Sequence, residues 1–324
     1  MAPQAIMRKE RMEDIYDIKE ELGRGHFAVV KKCVCKSSND DVAGKFIKVK
    51  KTRASRQGAE RAIIEREAEI LQMINCDKVM KLYDVFDLGS EIVLVMELLT
   101  GGELFDKLCE EDYLTEEQAC DYTKQVVQGM AYLHSKNIMH LDIKPENIVL
   151  KSPDSTEIKL VDFGLAQLWS PDKEIKEMMG TAEFVAPEIV NYEKIGLCTD
   201  MWAVGVLAYI LLSGESPFLG DDNQETFQNI AKADYEFDEE IFEDISEDAI
   251  DFVKGLLIKN PGKRTTAQDC LSHEWIKPKT NKFQMVRVII KTTRLKAFVA
   301  RRKWQESLKK MKAISAFQSA FNKD

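Results

Sequence analysis

The chain has 324 residues and is 44% apolar and 31% charged, an ordinary globular composition that excludes wholesale disorder and collagen-like repeats. Its longest apolar run, Met201 to Leu212, spans 12 residues and is too short to cross a bilayer. The net charge of −9 is unevenly placed: from Arg287 to Asp324 eleven Lys/Arg face two acids, giving that segment +9 and the remainder −18.

Seven cysteines, an odd number spread from Cys33 to Cys270, suggest no disulfide framework and suit a reducing cytoplasm. The first residues, Met1-Ala2-Pro3 and then Arg8-Lys9, carry no apolar run of signal-peptide type and no myristoylation glycine. No repeat of solenoid or propeller period stands out. Neither nucleic acid nor integral membrane contact is expected.

In chain order, the first 90 or so residues read as strand-rich. Phe27, Val29 and Lys31 alternate with Ala28, Val30 and Lys32, and a second strand runs through Val42, Lys45 and Ile47. Ile63, Ile64, Glu67, Ile70, Leu71 and Ile74 then follow helical spacing, and Glu91 to Leu98 is another strand, ending at Gly101-Gly102. Beyond it the patterns are helical over Glu116–Ser135, Thr199–Leu212 and Ala249–Lys259. Strands first and helices later predict an α+β chain of two lobes, 16–99 and 100–276, joined near 98–102, with segment 277–324 following. A cleft at the joint is the default place for a ligand.

The loop Leu22-Gly23-Arg24-Gly25-His26-Phe27-Ala28 has the form G-x-G-x-x-G with Ala28 at the third glycine. A dinucleotide fingerprint must open a helix, whereas β-branched alternation follows here. A plain hairpin turn and a glycine hairpin laid over ATP phosphates both remain; Gly23 and Gly25 would let backbone N–H groups approach oxygen without a Cβ in the way. Lys45, on the next strand, is either a solvated charge or a cleft cation. In the cleft it needs an anionic partner, and of Glu65, Glu67 and Glu69 on the helix, Glu67 shares the apolar face.

The most specific segment is His140-Leu141-Asp142-Ile143-Lys144-Pro145-Glu146-Asn147, followed by Asp162-Phe163-Gly164 and Ala186-Pro187-Glu188. In these ordered motifs the chain resembles the eukaryotic protein kinases over about residues 16–276, and Lys-Pro-Glu after Asp142 resembles the serine/threonine rather than the tyrosine class. The resemblance implies a bilobal fold and ATP with Mg²⁺. It makes Asp142 the group that orients or accepts the substrate hydroxyl proton, and Lys144 a stabiliser of the γ-phosphate. Asn147 and Asp162 would hold Mg²⁺, and Lys45 would meet the α/β-phosphates. It places Leu22, Gly23 and Gly25 over the nucleotide, Val30, Ala43, Val149 and Val161 around adenine, Met96 at the rear, and the backbone of Glu97 and Leu99 at the adenine edge. Glu103 and Glu146 would meet ribose or a substrate arginine, or stay solvated; an arginine upstream of the target Ser/Thr follows from the former.

The chain departs from the general kinase pattern in three ways. Leu141 replaces the arginine usual before Asp142, so no cation there can pair with an activation-loop phosphate. Between Gly164 and Ala186 the hydroxyl residues are Ser170 and Thr181, and Thr181 suits positioning Asp142 and Lys144 better than switching. Ala28 and Gly44 replace a glycine and a bulkier residue. Because Lys45, Asp142, Asn147 and Asp162 are all present, a catalytically dead scaffold is the weaker alternative. Glu188 with Arg264, and Asp200 with the backbone near Asp142, resemble the family's buried structural pairs.

From Arg294 to Asp324 apolar residues recur three or four apart among Arg301, Arg302, Lys303, Lys309, Lys310 and Lys312. Core packing and membrane-surface binding compete with calmodulin, which the spacing of Trp304, Leu308, Met311 and Phe317 suits best. Ala300-Arg301-Arg302-Lys303-Trp304 is similar to the calmodulin segment of the death-associated and myosin light-chain kinase branch. Gly25 to Cys33 and the basic run Lys48 to Arg56 resemble the death-associated subgroup more. The +9 segment is therefore expected to fold onto the −18 body and block the substrate cleft until Ca²⁺/calmodulin removes it. Ser307 is a candidate brake, since a phosphate there would weaken calmodulin binding. A homodimer through the basic loop 48–56, a cytoskeletal association and myosin regulatory light chain as substrate are expectations that rest on the branch.

Overall fold

The computed structural model describes residues 5–25, 28–50, 58–172, 174–176, 178–277 and 288–321, with backbone alone for 309, 310 and 312–321. Five antiparallel strands, β1 (Tyr16–Arg24), β2 (Ala28–Cys35), β3 (Asp41–Lys48), β4 (Leu82–Asp87) and β5 (Glu91–Glu97), form one sheet in the order β1-β2-β3-β5-β4. The run Ile92 to Met96 is apolar without alternation because both sheet faces are covered. Val93 and Val95 pack with Met12, Tyr16, Val42 and Phe86 on the outer face. Ile92, Leu94 and Met96 join the main core with Ile64, Ala68 and Leu71 of the helix Arg61–Gln72. Ile63, assigned to the apolar face by its spacing, is instead exposed. Because Ile64, Ala68 and Leu71 already fill the inner stripe, one helical step to Ile63 turns it toward water.

The second lobe is helical. Helix Glu116–Ser135 starts at a capping box in which the Thr115 hydroxyl accepts the Gln118 N–H while the Gln118 side chain reaches back to the Thr115 N–H. Helix Leu197–Ser213 has no polar face and is buried on all sides. At Gly205 a Cβ would stand 2.7 Å from Leu256 Cβ, so glycine lets the helix Glu247–Leu256 press against it. That second helix ends at Leu256, earlier than its pattern predicts, and Leu257 to Asn260 turn into the stretch that carries Arg264.

The chain does not simply leave this lobe after Ile276. Lys282 and its neighbours, like Pro278, lie outside the described residues, but strand Ile289–Lys291 returns to pair antiparallel with Tyr113–Thr115. It then feeds the helix Thr293–Phe321, whose Leu295 and Phe298 are buried against the lobe. The α+β, two-lobed expectation holds, with a C-terminal helix docked on the helical lobe.

Glu188 and Arg264, both fully buried, tie the segment after the cleft to this lobe. Arg264 Nη1 and Nη2 donate to Glu188 Oε1 and Oε2 at 2.8 and 3.0 Å, and Nη1 also donates to the Cys198 carbonyl at 2.7 Å. Breaking such a pair leaves an uncompensated charge. Glu188→Ala is expected to cost about 3–5 kcal/mol in denaturant unfolding, while the double replacement E188L/R264M should regain most of it.

Candidate active site

The site is built on turns that the sheet and the apolar helix hold in place. Asp200, in the first turn of helix Leu197–Ser213, accepts the His140 N–H at Oδ2 (3.0 Å) and the Leu141 N–H at Oδ1 (2.7 Å). These bonds fix Leu141 at φ 63°, a left-handed conformation that an apolar side chain rarely adopts. His140 is buried, and loss of solvation holds its pKa below the usual imidazole range against the pull of Asp200, Asp142 and Asp162. The neutral ring is then read by its neighbours. The Asp142 N–H donates to Nδ1 at 3.3 Å, which leaves Nε2–H to donate to the Val161 carbonyl at 3.2 Å.

Asp142, so aimed, sits in a net of donors. Lys144 Nζ lies 2.6 Å and Asn147 Nδ2 3.1 Å from its Oδ2, and Thr181 Oγ1 donates to Oδ1 at 3.2 Å. Lys144 Nζ also reaches Thr181 Oγ1 at 3.3 Å, and Asn147 Nδ2 reaches the Asp142 carbonyl at 2.7 Å. Asn147 spends its amide donor on Asp142, so its Oδ1 is left for a ligand.

Asp162, at φ 62°, holds a half-exposed carboxylate toward the opposite lobe, 3.9 Å from Lys45 Nζ. Lys45 is on β3, opposite Val30 of β2 in the strand register. Its Nζ donates to Glu67 Oε1 at 2.7 Å, the partner favoured from the helix periodicity. Burial pulls the Lys45 ammonium down, but the charges of Glu67 and Asp162 outweigh it and leave its pKa above the ordinary lysine value.

Above Lys45, β1 and β2 close a hairpin with Gly23 opposite Val30 and the Gly25 N–H donating to the Ala28 carbonyl at 2.8 Å. A Cβ at Gly23 would meet no protein atom within 4 Å. The fold alone does not demand glycine there; the free space is what an approaching phosphate would occupy. His26 and Phe27 lie outside the described residues, and Leu22 is exposed at the rim. Ala43 stands opposite Met96, both buried, and Val149 bridges to Glu103 across the floor. The Glu97 N–H is taken by the Lys81 carbonyl at 2.9 Å. Among the described residues neither backbone group of Leu99 is hydrogen-bonded within the main chain.

Two oxygen donors, Asn147 Oδ1 and the Asp162 carboxylate, facing a lysine-anchored hairpin with open space at Gly23, suit a hard divalent cation that completes its shell with phosphate oxygens and water. The residues present therefore fit a magnesium-bound nucleoside triphosphate.

The rim of the cleft is acidic and is occupied by the C-terminal helix. Arg301 grips Glu183 with two parallel bonds of 3.1 and 2.8 Å. Arg302 donates twice to Glu146 Oε1 (2.9 and 2.6 Å) and once to Glu183 Oε1 (3.3 Å), with its guanidinium 5.0 Å from the Phe184 ring and 5.7 Å from the Phe298 ring. Lys303 meets Asp106 at 2.6 Å. Arg301, Arg302 and Lys303, assigned from sequence to calmodulin, thus pair with the body, as the expected folding of this segment onto it requires, while Trp304 (63% exposed) and Met311 point to solvent and Leu308 is half-buried. The Phe317 side chain lies outside the described residues. Ser307 is exposed, and its hydroxyl donates to the Lys303 carbonyl at 2.9 Å. Residues 48–50 of the basic loop are described and 51–57 are not.

Sequence reasoning missed Glu183 and Asp106. The one signal for Glu183 was its place two residues after Thr181, ahead of Ala186-Pro187-Glu188. Asp106 looks like any acid in a first helical turn.

Among the described residues Glu103 makes no ion pair, and burial, then the charges of Asp106 and Glu146, raise its pKa from 4.5 to about 7 against the opposing pull of Lys303. The folded state therefore binds this proton more tightly than the unfolded chain does. The associated stability is complete below pH 4.5 and is lost as pH rises through 7. Glu103→Gln should accordingly raise the melting temperature relative to wild type at pH 8 and much less at pH 5, as read by thermal denaturation at both.

Residues 16–276 match the family described as protein kinase domain. The chain is 49% identical over 304 residues to human death-associated protein kinase 2, covering 93% of this chain and 82% of that protein. It is 40% identical to chicken smooth-muscle myosin light chain kinase over 97% of this chain but only 16% of that much longer protein. Among solved structures it superposes on the autoinhibited serine kinase domain of the giant muscle protein titin, with TM-score 0.81, 34% identity, and coverage of 90% of this chain and 88% of that one.

Proposed function

The chain belongs to the protein kinase family, as a serine/threonine kinase of the death-associated and myosin light-chain kinase type, and from that premise we propose that its own C-terminal helix inhibits it and that Ca²⁺/calmodulin lifts the inhibition. The observation that carries the reading is Arg302 held between Glu146 and Glu183, where an arginine of a protein substrate would be read. Trp304 and Met311, unengaged and exposed, support calmodulin as the agent that takes the helix away. A phosphate on exposed Ser307 would oppose that capture.

In the reaction, the hydroxyl of a Ser or Thr with basic residues upstream lies against Asp142, whose carboxylate orients it and takes its proton. Thr181, Lys144 and Asn147 hold that carboxylate in one rotamer, and Lys144 presents its ammonium to the transferred phosphoryl oxygens. Lys45, braced by Glu67, and the Gly23–Gly25 hairpin hold the nucleotide's phosphates. Mg²⁺, held by Asn147 and Asp162, supplies counter-charge to the triphosphate when bound. Met96, Ala43, Val30 and Val149 enclose the adenine, with the Glu97 carbonyl and Leu99 N–H at its edge. Myosin regulatory light chain is the substrate its branch suggests. Among the described residues no helix is long and apolar enough to cross a membrane; a cytoplasmic, cytoskeleton-associated enzyme, with a homodimer through loop 48–56, completes the proposal.

One experiment tests it: phosphate transfer from ATP·Mg²⁺ to an arginine-containing peptide, with and without Ca²⁺/calmodulin. Cutting the chain at Pro278 would strip Leu295 and Phe298 from the lobe they bury against, so charge reversal is the cleaner perturbation. R301E/R302E should raise the calmodulin-free rate about 5- to 150-fold, and Asp142→Ala should lower the stimulated rate about 10²- to 10⁴-fold. A charge-reversed chain that still needs calmodulin rejects autoinhibition, and equal rates for Asp142→Ala and wild type reject the assignment of Asp142.

A further inference from the structure

The pair Lys45–Glu67 requires the helix Arg61–Gln72 to sit at one rotation over the sheet, yet its contacts with β4 and β5 through Ile64, Ala68 and Leu71 are apolar and set no direction. Directional ties come from elsewhere. Gln72, the last residue of the helix, closes a two-bond ring with the backbone of Ile6: Oε1 accepts the Ile6 N–H at 2.9 Å, and Nε2 donates to the Ile6 carbonyl at 2.8 Å. Two residues later the same segment adds itself to edge strand β4. The Arg8 N–H donates to the Val85 carbonyl at 2.8 Å, and the Arg8 carbonyl accepts the Asp87 N–H at 2.9 Å. Arg8 Nε pairs with Asp84 Oδ1 at 2.8 Å, and Asp84 Oδ2 accepts the Tyr16 hydroxyl at 2.6 Å.

Ile6 is 81% exposed, while Ala5 and Met7 on either side of it are partly buried against the core; that apolar contact seats the segment, and the amide ring and the strand pairing give its hold a direction. The other end of the helix is fixed to the same strand by Arg61, whose Nη2 lies 2.5 Å from Asp87 Oδ2. Asp87 therefore joins both ties: its N–H holds Arg8 and its carboxylate holds Arg61. We propose that residues 5–10 form a latch that sets the rotation of the helix Arg61–Gln72, with Gln72 a positioning residue that acts on the nucleotide site through Glu67 and Lys45. This rests on the nucleotide-site reading for its effect on ligand, and on geometry alone for its effect on the helix.

The test uses the full chain in four forms: wild type, Gln72→Ala, Glu67→Gln and the double variant. Amide hydrogen exchange across the helix and affinity for a fluorescent ATP analogue with Mg²⁺ are read on each. Gln72→Ala should speed exchange in the helix and weaken the analogue by about three- to tenfold. In the Glu67→Gln background the same change should cost no further affinity, because the latch acts through that carboxylate. A separate deletion of residues 1–9, which removes Ile6 and Arg8 and leaves the helix sequence intact, should reproduce both changes. Unchanged exchange in either variant, or an equal affinity loss with and without Glu67→Gln, overturns the latch. Faster exchange in a chain whose wild type binds no nucleotide would uphold the latch on the helix and reject the nucleotide site instead.

Discussion

The catalytic geometry depends on one buried carboxylate. Asp200 lies at the start of an apolar helix, where the first N–H groups already favour negative charge. It spends that charge on the His140 and Leu141 N–H groups and on His134 Nε2 at 3.0 Å. An unpartnered carboxylate at this depth would be prohibitive; with three donors it becomes a rigid anchor. The left-handed Leu141 follows from it, and so does the direction of Asp142; His140, kept neutral by burial against the charge of Asp200, joins Asp142 to Val161. Val161 in turn hands its N–H to the Asn147 carbonyl at 3.1 Å, so the two strips that carry Asp142 and Asp162 are knitted together by main chain.

Electrostatics acts on this frame from outside. Glu103, Asp106, Glu146 and Glu183 crowd one rim, and Glu103, through its burial first and then the charges of Asp106 and Glu146, holds its proton up to about pH 7. The other three take cations. Arg302 sits deepest, with two donors on one oxygen of Glu146, while Oε2 of the same carboxylate is buried without a hydrogen-bond partner among the described residues. The rim is thus not saturated by the helix. A basic partner could make more bonds there than Arg302 does, which is a condition for an inhibitory segment that must be displaced.

The clustering of Lys144, Asn147 and Thr181 around Asp142 was legible because the motifs are local. Asp142, Lys144 and Asn147 fall within six residues, and Thr181 and Asp162 stand at set distances along the chain. Glu67 was legible because helical periodicity places it with Ile64, Ile70 and Leu71. The same periodicity failed at Ile63, since spacing defines a stripe but not its width. It also could not divide the last helix, where Leu295 and Phe298 look no different from Trp304 and Met311; only the position of the lobe decides which pair is buried. Glu183, Asp106 and Gln72 have partners 118, 197 and 66 residues away, and no local pattern encodes such meetings.

The two segments that flank the kinase core meet different lobes, and in the proposed autoinhibition the last helix stands where a loop phosphate would otherwise switch the enzyme. Residues 5–10 brace the helix that supplies Glu67, and the last helix covers the rim of the opposite lobe. Asp142 is aimed by Asp200, His140 and Thr181, all inside the fold, so the absence of a cation at Leu141 leaves its geometry intact. Lys45 is paired while Arg301 and Arg302 are engaged, so under the proposed autoinhibition the nucleotide half is already assembled. Lifting the helix then has only to clear the acidic rim. A gate of this kind, as proposed, would work by occupancy of a charged surface and would leave the phosphate-handling residues where Glu67, Asp200 and Thr181 hold them.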